Sequence, residues 1–282
     1  MRTTIMLAVL AMLAMASCNN QDKQAEALYR EAETLFEQKD YNAAKIMIDS
    51  IKTACPKAFD TRKKAIGLMQ RVELAEQQRS VAYLDSLASV WQQAFDEIKG
   101  RYLYRKNPEY QDKGTFIVPS QDLARNNNRT MLVASTDEDG VMRLTSVLVG
   151  RPIDHHVLKV TLRADGTFAE TRRSDLYYTS THLGVVTEKA EFEVGRTDGG
   201  LVDFILANQG KPLTIECQGS RTATRQLTKQ EKDAIASVHQ LANVLANLHT
   251  IAQQRTEAEN KINFIKARMS ESSGAVKALD AR

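Results

Sequence analysis

Two adjacent histidines are the residues of this chain whose types most suggest chemistry. Asp154-His155-His156 places a carboxylate beside two imidazoles, and imidazole is a common metal ligand. The segment from His156 to Leu162 alternates like a β-strand, however, and successive side chains of a strand point to opposite faces. We therefore expect His155 and His156 not to share one ion, and we predict no metal site here.

An acidic turn is the second candidate for a metal. Asp137-Glu138-Asp139-Gly140 is similar to part of a calcium-binding loop. In the EF-hand frame, though, Ser135 would take the first position and Ser146 the last, where an aspartate and a bidentate glutamate are needed. The pattern favours a solvated hairpin turn.

Short catalytic motifs are absent from the sequence. It contains no Gly-Xaa-Ser-Xaa-Gly, Cys-Xaa-Xaa-Cys or His-Glu-Xaa-Xaa-His, no phosphate loop and no dinucleotide fingerprint. His239 and His249 would lie about 15 Å apart along a helix, too far to share a site. We therefore predict no catalytic residue and no cofactor, although paired carboxylates leave no local signature and an enzyme stays an alternative.

Two further groups of residues could bind ligands. Clustered arginines could hold an anionic glycan or a lipid headgroup, but short charge clusters are usually solvated surface. Tyrosines could stack on sugars, but tyrosine in a β domain more often serves packing. The arginines are Arg172, Arg173, Arg221 and Arg225, and the tyrosines are Tyr102, Tyr104, Tyr110, Tyr177 and Tyr178.

The N-terminus indicates where the protein goes. Arg2 precedes a short apolar segment from Ile5 to Ser17, whereas a membrane-spanning helix needs about 20 apolar residues. Met15-Ala16-Ser17-Cys18 resembles the lipobox of bacterial lipoproteins, and this resemblance implies cleavage before Cys18 and a diacylglyceryl group on its sulfur. Asn19 in place of aspartate favours the outer over the inner membrane. The alternative is an ordinary secretory signal with a chance cysteine near its end.

Bulk composition narrows the classes of partner. Removal of residues 1–17 from the 282-residue chain leaves enough for one large or two ordinary domains, and removal of Arg2 leaves 37 Lys and Arg against 35 Asp and Glu. This balance argues against nucleic acid. Cys55 and Cys217 could form a disulfide in an oxidising compartment, or could be two small buried hydrophobic residues.

Residues 25–58 resemble one tetratricopeptide unit, which implies a helical hairpin. Large, small and proline residues fall where that 34-residue pattern wants them, with a turn at Asp40-Tyr41; Glu31 and Ile51 depart from it. Asp49-Ser50-Ile51 and Asp85-Ser86-Leu87 are also similar to the O-glycosylation signal of Bacteroidetes envelope proteins. The positions that match the tetratricopeptide pattern are Leu28, Ala32, Leu35, Ala44, Ile48 and Pro56.

The rest of the chain predicts two long helices around a β domain. Residues from Asp60 to Gly100 carry an apolar stripe at three- and four-residue spacing, and a second stripe follows a capping-box pattern at Thr228 and Glu231. These stripes suggest antiparallel pairing, or packing of each on a globular core. Between them, alternating segments and Gly/Asp turns indicate an antiparallel sandwich or barrel, with one short helix over Leu201 to Asn208.

The predicted fold class is therefore α+β: a helical N-terminal hairpin and two long antiparallel helices with an inserted antiparallel β domain. We expect a lipid-anchored envelope protein that acts as a non-enzymatic interaction module, bound to the membrane through Cys18 and to envelope proteins. The alternative is a β domain that binds a small ligand or glycan, or hydrolyses one. The expected segments are a signal peptide (1–17), a linker (18–24), a helical region (25–100), a β domain (101–227), a C-terminal helix packing on 60–100 (228–269) and a flexible tail (270–282).

Overall fold

The structure is a computed structural model that describes residues 21–126 and 128–280, with side chains described as far as residue 271. The predicted signal peptide and Cys18 lie outside the described residues. Within them, no helix combines the length and hydrophobicity that crossing a bilayer requires. The described chain divides into a helical unit, residues 21–86 and 253–280, and a mixed unit, Leu87–Ala252.

The helical unit begins with the predicted hairpin. Helix α1 covers residues 21–37 and α2 covers Tyr41–Ala54. Asp40 caps α2, its side chain accepting the Ala43 N–H at 3.1 Å. Ala32 and Ala44 are completely buried, which lets the helices of this unit pack closely. Ile51, which departs from the tetratricopeptide pattern, is also buried in this core rather than clashing with it.

Two long helices contribute to both units: α3, Phe59–Ile98, and α5, Lys229–Asp280. Within the helical unit they run antiparallel, because Asp85 pairs with Arg255 at 2.6 Å while the earlier residue Glu76 shares a groove with the later residue Lys261. Helix α3 begins one residue before Asp60, and α5 continues to Asp280, past the end predicted at residue 269. No proline interrupts α5, so the helical backbone can continue there.

The mixed unit contains two antiparallel sheets, as predicted. One has six strands in the order β1-β2-β3-β4-β8-β7, and the other has four in the order β10-β9-β5-β6. Helix α4, Leu201–Ala207, is the short helix expected there. The strands are β1 Leu103–Arg105, β2 Thr115–Ile117, β3 Met131–Asp137, β4 Met142–Gly150, β5 Val157–Leu162, β6 Phe168–Glu170, β7 Leu176–His182, β8 Val185–Glu193, β9 Leu213–Gln218 and β10 Thr222–Gln226.

One hydrophobic core joins both sheets to α4 and the first part of α5. Buried side chains alternate along β5 and β9, so each strand gives one face to this core. The end of α3 packs on the same core through Trp91, Ala94 and Phe95. The division into units therefore falls inside α3 and α5, whereas the sequence placed boundaries at 100/101 and 227/228. The core members include Leu144, Leu158, Ala190, Phe192, Leu201, Ile215, Ile235 and Leu241.

The capping box at the start of α5 is confirmed. The Glu231 N–H donates to Thr228 Oγ1 at 3.2 Å, and the Thr228 N–H donates to Glu231 Oε2 at 2.9 Å. The Glu231 carboxylate also accepts two hydrogen bonds from Arg225 and one from the Leu132 N–H. It therefore ties β3 and β10 to the first turn of the helix.

Candidate functional site

A buried polar network in the mixed unit has the connectivity of hydrolytic machinery. His155 Nε2 lies 3.1 Å from Ser146 Oγ, and His155 Nδ1 lies 3.3 Å from Glu188 Oε2. Ser146 is on β4, Glu188 is on the neighbouring strand β8, and His155 is in the loop before β5. These contacts link a serine hydroxyl to a histidine and the same histidine to a carboxylate, which is the connectivity of a catalytic triad.

The loop before β5 places His155 by an unusual backbone conformation. Asp154 has a φ of 56°, in the left-handed region that few non-glycine residues adopt. The N–H groups of Ile153 and Asp154 donate to the Glu188 carboxylate, at 3.1 Å to Oε2 and 2.7 Å to Oε1 respectively. Tyr177 on β7 donates its hydroxyl to the same carboxylate at 2.5 Å. Glu188 therefore holds the loop, β7 and β8 together.

These hydrogen bonds decide the charge state of Glu188. Burial raises the pKa of its carboxyl, but the Tyr177 hydroxyl, the two backbone N–H groups and His155 together lower the pKa below its ordinary value. Burial, and then the hydrogen bond to Glu188, raise the pKa of Tyr177. At neutral pH, therefore, Tyr177 is a neutral phenol that donates its hydrogen bond to the ionised carboxylate of Glu188.

The burial of the network decides what it can do. The exposed fraction is 0% for His155, 1% for Glu188 and 3% for Ser146. Ser146 Oγ also lies 3.6 Å from the Sγ atom of Cys217, which is buried as well. A nucleophile must meet its substrate, and this hydroxyl is covered by protein. In this conformation the network works as a structural connection between strands.

The two adjacent histidines have different surroundings. His155 is buried, whereas His156 Nδ1 lies 2.8 Å from the Ser174 carbonyl oxygen and its ring packs on Tyr177 at 4.7 Å between centroids. The rings therefore do not converge on one point. Among the described residues there is no group of three or more His, Cys, Asp or Glu side chains arranged to hold a metal ion.

The acidic segment forms the β3–β4 hairpin turn. Asp137 Oδ1 accepts the N–H groups of Asp139 and Val141 at 3.0 and 2.9 Å. Asp139 forms an ion pair with Lys113, and its Oδ1 atom lies 3.0 Å from Nδ1 of His249. These carboxylates serve the turn and its neighbours, as expected of a hairpin.

The remaining candidates are dispersed. Cys55 and Cys217 are both buried and unbonded, one in each unit. Arg225 pairs with Glu231, whereas Arg172, Arg173 and Arg221 are exposed. Tyr102 is buried and donates to the Ser237 carbonyl oxygen at 2.7 Å, while Tyr110 is 82% exposed. The two O-glycosylation-like triplets lie inside α2 and α3.

A groove on the helical unit was not predicted from the sequence. A cavity of about 660 Å³ lies among the start of α2, α3 and α5, and a second of about 330 Å³ shares Glu76, Gln77 and Lys261 with it. The shared residues join the two cavities into one groove along α3 and α5. We call it the α3–α5 groove; its lining includes Lys39, Asp40, Gln70, Glu76, Arg79, Tyr83, Glu257, Lys261 and Phe264.

No family model matches the chain, and no curated protein matches it.

Proposed function

We propose that this protein is a lipid-anchored component of the bacterial cell envelope that works by binding another protein, and that the α3–α5 groove receives the partner. Lipidation of Cys18 would hold the chain at a membrane, the outer membrane being favoured by Asn19. Two or three acyl chains bind a bilayer far more firmly than one. The observation that carries the binding role is the groove, an open surface with aromatic side chains at both ends.

The exposed aromatic residues give the groove the anchors that protein interfaces use. Tyr83 is 66% exposed in the larger cavity, and Phe264 is 61% exposed in the smaller one. Aromatic residues supply much of the binding energy where they fill pockets of a partner. Along α3 the groove runs from Gln70 to Tyr83, about 20 Å at 1.5 Å per residue. An extended segment of about six residues would span that length.

Charge favours a polypeptide partner over a polyanion. The larger cavity has three cationic residues, Lys39, Arg79 and Lys261, against three carboxylates. Lys45 also pairs with Glu76 at 2.9 Å. Nucleic acid would need an excess of positive charge, whereas a protein segment can present both signs.

Affinity capture with matched variants tests the proposal. The intact lipoprotein is used to capture proteins from detergent-solubilised envelopes, which are identified by mass spectrometry. We expect Tyr83→Ala with Phe264→Ala to reduce recovery of the specific partner at least about tenfold, because hot-spot aromatics dominate interface energy. The control, Tyr110→Ala with Phe168→Ala, removes one exposed tyrosine and one exposed phenylalanine from the mixed unit.

The outcomes separate binding from catalysis. Equal capture by both double variants would remove the groove from the proposal. The second candidate function is a hydrolase, for which the Ser146-His155-Glu188 connectivity is suited but which would require a conformation that uncovers the Ser146 hydroxyl. Turnover of an ester or glycan substrate that is abolished by Ser146→Ala, but not by the groove variant, would support the hydrolase instead.

A further inference from the structure

The two sheets of the mixed unit have four edge strands, which differ in length and in charge. Natural edge strands avoid pairing with other chains by being short or by carrying charge. Strands β1 and β6 have three residues each, and β10 carries Arg225. Strand β7 ends the six-stranded sheet with seven residues, Leu-Tyr-Tyr-Thr-Ser-Thr-His, none of them Asp, Glu, Lys or Arg. Six of the seven are exposed.

The turn after β7 determines which backbone groups point away from the sheet. Leu183 and Gly184 form a two-residue turn with φ values of 48° and 79°, as a type I′ hairpin requires. In such a hairpin the flanking pair, His182 and Val185, exchanges both backbone hydrogen bonds. Bonding then alternates along β7. The N–H and C=O groups of Tyr177, Thr179 and Thr181 therefore point outward, away from β8.

The geometry points to a second copy of this chain as the occupant of this edge, with two β7 strands pairing antiparallel about a two-fold axis at Thr179. Thr179 is the middle residue of the strand, so this register pairs all seven residues. It is also one of the outward-bonding residues, so the central pair is hydrogen-bonded. The midpoint of the strand and the alternation of its backbone hydrogen bonds therefore indicate the same residue, Thr179, as the centre of the pairing.

Charge and side chains are compatible with self-pairing. A neutral strand meets its own copy without like-charge repulsion, which is the usual barrier between edges. Thr179 would lie opposite itself, Tyr177 opposite Thr181 and Tyr178 opposite Ser180, and such aromatic and threonine pairs stabilise sheets. The sheets of the two copies would become one continuous sheet. This inference does not depend on the lipid anchor or on the α3–α5 groove.

Sedimentation velocity over a range of concentrations tests the dimer. The mature chain carries Cys18→Ser, so that lipid cannot bring copies together. We expect a monomer–dimer equilibrium, and Thr179→Lys should raise its dissociation constant at least about tenfold, because two lysines would face each other across the axis. Thr224→Lys changes an exposed threonine on a different edge strand, β10; it is the matched control and should change the dissociation constant by less than about twofold.

Cysteine cross-linking tests the register. Hydrogen-bonded antiparallel pairs have Cα atoms about 5.5 Å apart, within the range a disulfide spans. Oxidised Thr179→Cys should form a covalent dimer, while Thr224→Cys should not; Cys55 and Cys217 are buried in both. A chain that stays monomeric at every soluble concentration, or a dimer equally weakened by both lysines, would overturn the inference. Neither result would affect capture by the α3–α5 groove.

Discussion

At the residue scale, Glu188 is a buried carboxylate that connects separate segments of the mixed unit. A buried carboxylate is costly unless its oxygens accept hydrogen bonds. Glu188 accepts them from the Tyr177 hydroxyl and from the N–H groups of Ile153 and Asp154, and it faces His155. These partners come from two segments, β7 and the loop before β5, so that with its own strand β8 Glu188 connects three segments of the chain. Removing the charge should therefore loosen the contacts among them.

Glu188→Gln should destabilise the mixed unit by about 1–3 kcal/mol at neutral pH, because an amide accepts fewer hydrogen bonds and presents an unmatched N–H₂. The pKa of Glu188 is lowered in the folded protein, so its stabilisation is present above its ordinary value of 4.5 and is lost as pH falls below it. The difference between wild type and variant should shrink over that acidic range.

Denaturant unfolding followed by tryptophan fluorescence measures this effect. Trp91 is the only tryptophan, and it packs on the core of the mixed unit. Glu170→Gln, an exposed glutamate on β6, is the control and should change stability by less than about 0.5 kcal/mol. A pH-independent difference for Glu188→Gln would contradict the assignment of its lowered pKa.

At the element scale, the β3–β4 turn packs directly on α5. Gly140 has a φ of 83°, and an added Cβ would lie 2.3 Å from the Ala246 N atom and 2.4 Å from the Ala242 carbonyl oxygen. Gly166 has a similar φ of 78°, but open space where its Cβ would be. Substitution of Gly166 therefore tests backbone strain alone, whereas substitution of Gly140 tests backbone strain together with close packing.

Gly140→Ala should destabilise the mixed unit by at least about 3 kcal/mol, because overpacking adds to the left-handed backbone strain. Gly166→Ala should cost about 1–2 kcal/mol, from the backbone strain alone. Trp91 fluorescence during denaturant unfolding measures both. Equal losses would show that the turn does not pack on α5 as closely as the structure places it.

The sequence predicted the elements with strong local patterns better than those without. The hairpin, the two long helices, α4 and the capping box each repeat or terminate in a recognisable way over a few residues. Strand β7 was not predicted, because side chains on both of its faces are exposed and no apolar alternation marks it. From the sequence its two tyrosines could have stacked on a sugar or, more often for a β domain, served packing; Tyr177 packs on His156 and donates to Glu188.

At the scale of the whole molecule, the proposed lipid anchor would decide where any binding happens. The lipobox-like segment predicts that Cys18 carries the acyl chains. Cys18→Ala should move the protein from the membrane to the soluble fraction, because no acyl chain would then hold it. Fractionation followed by immunoblotting measures this.

The control for the anchor is a second cysteine. Cys217→Ala alters a buried thiol in the mixed unit and should leave the protein with the membranes. Retention of Cys18→Ala in the membrane fraction would show that something other than lipid holds the protein there. The α3–α5 groove could then still be tested by capture.

The sequence by itself determined the helical periodicities, the α+β class and the expectation of an anchor, because each depends on residues near one another in the chain. Only the tertiary structure decided that Ser146, His155 and Glu188 meet, that the α3–α5 groove exists and that β7 lies at an edge. These features join residues from 9 positions apart, Ser146 and His155, to about 220 positions apart, Lys39 and Lys261. Such contacts exist only once strand order and helix packing have been established, and no local pattern encodes them.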